Sequence, residues 1–238
     1  MDATGLSRYG NRSRMRATLF SLFSLVVSAC EFTSQGSEPL PTTPPVTCGD
    51  LGRDSLQTGS TNDEFDCFIL FSSRDHMHPD PMLVKAQIAQ ESAFNPNSTS
   101  SDSPCGVPTG WAAEESKSFG LTQVTPACNE ASALIMPDGH PNLTMDAQSP
   151  LWPTSVYNPK ANIDEGVRTM VGFLNQMKRN FAGCSDTDYN LMSAGAFNSG
   201  GGSVLGCNSY NPRAALYVQN VKTHYEAFAR AAGWPNPY

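Results

Sequence analysis

Basic residues are scarce in this chain, and their scarcity excludes a first class of partner. The 238 residues carry 15 Lys and Arg against 22 Asp and Glu, a net charge of −7. Four of the basic residues, Arg8, Arg12, Arg14 and Arg16, fall within the first 16 positions, with only Asp2 against them. Without that segment, 11 basic residues face 21 acidic ones. Such a surface repels nucleic acid and anionic lipid, so no nucleic-acid partner is expected. The seven cysteines include no C-x-x-C pair, which removes the common zinc and thioredoxin-like signatures. His76-x-His78 has a metal-like spacing but no clear partner ligands, so no metal site is expected. Internal repeats are absent, and no convincing alternation of apolar and polar residues marks a strand-built core.

The N-terminus reads as an address. Arg12 to Arg16 form a basic segment, followed by the 11-residue apolar run Ala17 to Val27. A bilayer-spanning helix needs roughly 20 such residues. The run ends in Val27-Ser28-Ala29-Cys30, which resembles the lipobox of bacterial lipoproteins. That resemblance implies a leader over 1–29, removed before Cys30. It also implies acyl chains on Cys30 that anchor the protein to a membrane, at about 0.8 kcal/mol per buried CH₂. The plainer alternative is an ordinary signal peptide cut near Ala29. Glu31 follows the cysteine where aspartate would favour the inner membrane, so the expected location is the periplasm, at the outer membrane. Residues 30–47, rich in Ser, Thr and Pro, read as an extended tether. The folded domain is expected over 48–238. Lipidation of Cys30 leaves six cysteines, an even number suited to an oxidising compartment. Many pairings are open. Pairing of sequence neighbours is favoured: Cys48–Cys67, Cys105–Cys128 and Cys184–Cys207.

Helical signals dominate the folded part. Asp63 to Asp75 places Phe65, Phe68, Ile69 and Phe71 where a helix can turn them inward. Asp80-Pro81 is a helix start, a capping side chain followed by proline at the first helical position. Asn95-Pro96-Asn97 ends that helix, and Ser98 to Gly110 is a polar loop. Asn158-Pro159 opens a second helix with a stripe of Ile163, Val167, Met170, Val171 and Leu174. Asp186 to Phe197 is a shorter helix. Pro212 to Ala232 is a long one, with Ala215, Leu216, Val218, Val221, Tyr225 and Phe228 periodic. The class is mainly α, with a small β-hairpin expected near Phe119 to Val124.

Glu91-Ser92 falls at the end of the Asp80 helix, among apolar Ile88, Ala89, Ala93 and Phe94. A carboxyl partly withdrawn from water holds its proton nearer to neutral pH. Glycoside cleavage needs such an acid to protonate the leaving oxygen. A glutamate at a helix end is more often a solvated surface residue, so the order of the downstream motifs matters. Ser118-Phe119-Gly120-Leu121-Thr122-Gln123-Val124-Thr125-Pro126 comes first. Ala196-Phe197-Asn198-Ser199-Gly200 is next, and then Tyr217-Val218.

This order resembles the transglycosylase SLT domain of soluble lytic transglycosylases, a lysozyme-like fold. That family reads Glu-Ser, then Gly-Leu-Met-Gln with a following Pro, then Ala-Tyr-Asn-Ala-Gly, then Tyr-Val. The resemblance covers about Pro79 to Phe228. It implies that Glu91 is the single acid/base and that Ser92 supports it and the reacting sugar. It implies a groove-lining amide at Gln123, an asparagine holding the muramyl residue at Asn198, and a tyrosine hydroxyl approaching the carboxyl at Tyr217. Helix capping by Ser92 and Asn198 and core packing by Tyr217 are the plainer alternatives. Two positions depart from the family. Thr122 stands for methionine, trading an apolar groove contact for a hydroxyl, and Phe197 stands for tyrosine. Trp111 reads as a packed loop residue before it reads as a sugar-stacking lid.

The resemblance implies cleavage of the bond between N-acetylmuramic acid and N-acetylglucosamine in peptidoglycan, leaving 1,6-anhydromuramyl ends without a cofactor. The acidic surface does not attract an anionic wall, so capture of glycan strands would rest on hydrogen bonds and stacking. A hydrolytic muramidase is the nearest alternative and needs a second carboxylate, for which Asp102, Glu114 and Glu115 are candidates. A non-catalytic wall-binding lipoprotein is the other.

Overall fold

The structure, a computed structural model, describes residues 48–51, 56–128, 134–145 and 155–238. The leader, Cys30, the tether to residue 47 and Trp152 lie outside these residues.

Five helices build the described part: α1 (Asp66–Asp75), α2 (Pro81–Ser92), α3 (Pro159–Asn180), α4 (Asp186–Ser199) and α5 (Pro212–Ala232). α2 is the central one. Asp80 caps it by accepting a hydrogen bond from Leu83 N at 3.0 Å, and Pro81 occupies the first turn, where a missing N–H costs nothing. Met82 through Ile88 are all buried, so the helix is enclosed on every side rather than along one stripe. That enclosure includes a charge. Lys85 is fully buried, and its ammonium donates to Asp66 Oδ1 at 2.7 Å, Asp63 Oδ1 at 2.6 Å and Leu56 O at 2.9 Å. The helix ends as Ala93 and Phe94 turn left-handed, with φ of 51° and 61°.

α5 packs against α2 and α4, and α3 packs against α1 and α4. The stripe on α3 is Ile163, Val167, Met170, Leu174 and Met177, with Val171 at its partly buried margin. α5 begins at the Asn211 cap and Pro212 and stops at left-handed Gly233. Its buried face is Ala214, Tyr217, Val218, Val221, Tyr225 and Ala229. Leu216, expected on that face, is 66% exposed, and Ala215 beside it is exposed too. With Tyr217 and Val218 both facing inward, residues one and two positions earlier rotate out to solvent.

The one two-stranded sheet among the described residues is not where the sequence pattern suggested. β1 (Val204–Gly206) pairs antiparallel with β2 (Ser209–Tyr210) in the connection between α4 and α5. Phe119 and Val124 form only an isolated bridge, Phe119 N donating to Val124 O at 2.9 Å. Gly120 and Gln123 are left-handed, with φ of 73° and 52°, and coil the segment too tightly for a ladder to extend.

Three disulfides join sequence neighbours: Cys48 to Cys67, Cys105 to Cys128 and Cys184 to Cys207, with Cα separations of 5.3, 5.4 and 5.5 Å. Among the described residues no helix is long and apolar enough to cross a membrane.

Candidate active site

Glu91 lies in the last turn of α2, half-buried, where the helix emerges from the core. The Tyr217 hydroxyl, carried in by α5, donates to Glu91 Oε1 at 2.6 Å. Hydrogen bonds to a carboxylate are among the stronger ones in proteins. Burial, and then the Glu91 charge and the bond itself, push the Tyr217 phenol well above its ordinary value, so it remains a donor. One helical turn earlier on α2, Gln87 is fully buried with no hydrogen-bond partner for its amide.

Ser92 is turned the other way. Its hydroxyl donates to Leu121 O at 2.8 Å and lies 3.2 Å from Ile88 O, which ties the end of α2 to the Gly120-Leu121 turn. The turn is held from behind by Asn162 of α3, which is fully buried. Asn162 Oδ1 accepts from Thr122 N and Thr122 Oγ1, each at 2.8 Å. Its Nδ2 donates to Phe119 O at 2.8 Å and Val156 O at 2.9 Å. A Cβ on Gly120 would collide with the Asn162 amide, so only glycine fits there. Thr122 is therefore no groove residue. It is fully buried, with its side chain against Gly166, where a Cβ would collide with it. The expected exchange of an apolar groove contact for a hydroxyl does not occur at this position.

Glu91 opens into a cleft of about 470 Å³ lined also by Gln123, Phe173, Phe197, Asn198, Asp102 and Arg213. The volume is within the range of sites that hold small molecules and oligomer segments. Gln123 Nε2 donates to Gly120 O at 2.9 Å, which fixes the amide on the wall despite its left-handed backbone. Asn198 Oδ1 accepts from Ser199 Oγ at 2.8 Å. Of the five residues singled out in the sequence, Glu91, Gln123 and Asn198 line the cleft, while Ser92 and Tyr217 stand behind Glu91. Phe173, Arg213 and Asn162 were not singled out. Phe173 and Asn162 sit on α3, where spacing alone marks neither as part of a site.

The remaining candidates lie outside the cleft. Glu115 accepts from Ala112 N at 2.6 Å and faces His140 Nδ1 at 3.0 Å. Trp111 is half-buried with its ring 6.0 Å from His140, and neither it nor Glu114 lines the cleft. His76, at the end of α1, pairs with Asp164 of α3 at 3.0 Å, and His78, before α2, accepts from Asp80 N at 3.2 Å.

No curated protein matches the chain. The model of the transglycosylase SLT domain matches residues 69–219, more than half of the sequence. The chain belongs to the transglycosylase SLT domain family. The SLT match runs from α1 into α5 and contains Glu91, Tyr217 and the whole of the cleft wall around them. The mainly helical, lysozyme-like fold of the SLT domain thus brings together a carboxyl, its tyrosine donor, and two amides that face the same space.

Proposed function

We propose that the protein is a lytic transglycosylase that cleaves the β-1,4 bond between N-acetylmuramic acid and N-acetylglucosamine, with Glu91 as its single acid/base. The observation that carries this is the Glu91 carboxyl at the head of a cleft, held at Oε1 by Tyr217 and facing Gln123 and Asn198. With Oε1 accepting from Tyr217, the transferable proton rides on the other oxygen. Glu91 gives that proton to the glycosidic oxygen as the C1–O bond breaks. The muramyl N-acetyl group stabilises the positive charge that develops at C1. Glu91, now a carboxylate stabilised by the Tyr217 hydroxyl, takes the proton of the muramyl C6 hydroxyl as that oxygen closes onto C1. The acid is regenerated, a 1,6-anhydromuramyl end results and no water is consumed. Gln123 and Asn198 bind and orient the sugar from the wall, with Ser92 supporting the end of α2.

Hydrolysis would require a second carboxylate to position water. Asp102 is the other carboxylate lining the cleft. Products decide between the two: anhydro ends are one water lighter than hydrolysed ends. Glu91→Gln is expected to lower turnover by about 10²- to 10⁴-fold while binding to peptidoglycan persists. Asp102→Asn is expected to leave release of anhydro ends intact. Wall lysis surviving in Glu91→Gln would sink the assignment.

The protein is placed in the periplasm, held by acyl chains on Cys30 with residues 31–47 as tether. The three disulfides fit an oxidising compartment. Cys30→Ala is expected to move the protein from the membrane fraction to the soluble one.

A further inference from the structure

Three charged residues line the cleft: Glu91 from α2, Asp102 from the polar loop and Arg213 from α5. Arg213 is exposed, and no ion pair or side-chain hydrogen bond joins it to another described residue. Arg74 and Arg168, by contrast, each hold a carboxylate, of Asp75 and Glu165. Elsewhere on the surface an exposed arginine would mean no more than solubility. Here its position gives it a partner to meet. Arg213 precedes Tyr217 by four residues, one turn of α5, so it sits where the face that holds Glu91 emerges into the cleft. Helical side chains lean toward the start of their helix, which keeps the Arg213 head clear of the buried phenol.

The proposed substrate supplies a match. N-acetylglucosamine is neutral. N-acetylmuramic acid carries a lactyl group on C3 that ends in a carboxyl, either free or joined to a peptide with carboxylates of its own. The negative charge of a glycan strand therefore belongs to the muramyl side chain. We propose that Arg213 is a specificity residue: it binds a carboxylate of the muramyl side chain and so selects muramyl-bearing strands over uncharged N-acetylglucosamine polymers. A guanidinium pairs with a carboxylate through two parallel N–H···O bonds, which fix orientation as well as adding attraction. The acidic chain as a whole repels anions, so this attraction is local and acts once a strand lies in the cleft. Asp102, on a different lining segment, repels the same carboxylate and favours its seating on the α5 side. Because the two sugars alternate along a strand, seating the muramyl side chain also decides which of the two β-1,4 linkages meets Glu91. This rests on the reading of the cleft as a glycan-cleaving site.

The test measures binding by calorimetry to the full chain carrying Glu91→Gln, alone or together with Arg213→Gln or Arg213→Lys. Three tetrasaccharides serve as probes: an alternating muramyl strand with its peptides, the same strand freed of peptide, and the N-acetylglucosamine tetramer, which has no carboxylate. Arg213→Gln is expected to weaken binding of one or both muramyl probes about fivefold, with the loss shrinking at high salt. Arg213→Lys should recover part of it. The N-acetylglucosamine tetramer should bind all three proteins equally well, and Tm should be unchanged. Loss confined to the peptide-free probe assigns the contact to the lactyl carboxylate, and loss confined to the peptide-bearing probe assigns it to the peptide. Unchanged affinity for both muramyl probes would overturn the proposal, as would equal weakening for the uncharged tetramer. Binding of none of the three probes by Glu91→Gln itself would instead remove the glycan reading on which the proposal rests.

Discussion

In the proposed reaction, Tyr217 donates to a group that has to change charge twice in each turnover. Its bond to Glu91 strengthens when the carboxyl is ionised, so it favours the state reached once the proton has passed to the leaving sugar. A hydrogen bond to a charged group contributes about 1.5–3 kcal/mol. Tyr217→Phe is therefore expected to lower kcat by roughly 10- to 100-fold, with KM little changed, measured by release of anhydro ends. Asn162 does different work. It satisfies Thr122 N, Phe119 O and Val156 O from a site with no access to water. Asn162→Leu leaves all three without that partner and should destabilise the fold by about 3 kcal/mol or more, read by denaturant unfolding. Glu91 and Tyr217 were legible in the sequence because their motifs occur in a fixed order along the chain. Asn162 was not. A lone asparagine in the first turn of a long helix looks like solvent-facing polarity, and only the fold shows that Gly120 packs on it. Thr122 was misread for the same reason: a position within a motif does not say which wall a side chain faces.

The helix starts were the most legible elements. Asp80-Pro81, Asn158-Pro159 and Asn211-Pro212 each put a capping side chain before a proline, and capping is chemistry among neighbours in sequence. The hairpin was less legible, because left-handed Gly120 and Gln123 convert an apparent strand pair into a coil. Leu216 shows the limit of apolar periodicity, since an apolar residue can ride on the exposed edge of a helix. The start of α2 also carries a pH response. Burial lowers the His78 pKa from 6.5 to about 4. Between those values the unfolded chain binds a proton that the folded one refuses, so stability rises with pH through that window. The drop from pH 7 to pH 4 is expected to cost about 3 kcal/mol at this residue. Asp80 opposes part of it. Burial raises its carboxyl despite the bond from the Tyr238 hydroxyl, so protonation there favours the fold toward the acid end. Denaturant titrations across pH 4 to 7 should therefore show a positive slope that flattens in His78→Asn, which can still accept from Asp80 N.

At the scale of the whole molecule the three disulfides are not equivalent. Cys48–Cys67 fastens the entry of the folded part to α1, and Cys184–Cys207 fastens the start of α4 to the β1–β2 hairpin. Both brace elements that already share core contacts. Cys105–Cys128 is different, because both of its cysteines line the cleft that contains Glu91. The chain between them has only short 3₁₀ turns and isolated bridges, so its path over the cleft depends on side-chain bonds and on this crosslink. Closing a loop with a sequence separation of 23 is worth about 3 kcal/mol in the chain-entropy account. That figure applies to Cys184–Cys207 as well, since its separation is the same. Equal entropy and unequal position make a discriminating pair. Replacing Cys184 and Cys207 by serine should lower Tm and leave KM near its original value. Replacing Cys105 and Cys128 should lower Tm by a similar amount but raise KM for glycan strands several-fold, because the part of the cleft wall that carries both cysteines then samples more positions. Parallel thermal melts and initial-rate measurements on the two double variants would show it. Equal KM values in the two would mean that the wall is held by Asn162, Ser92 and the Phe119–Val124 bridge alone.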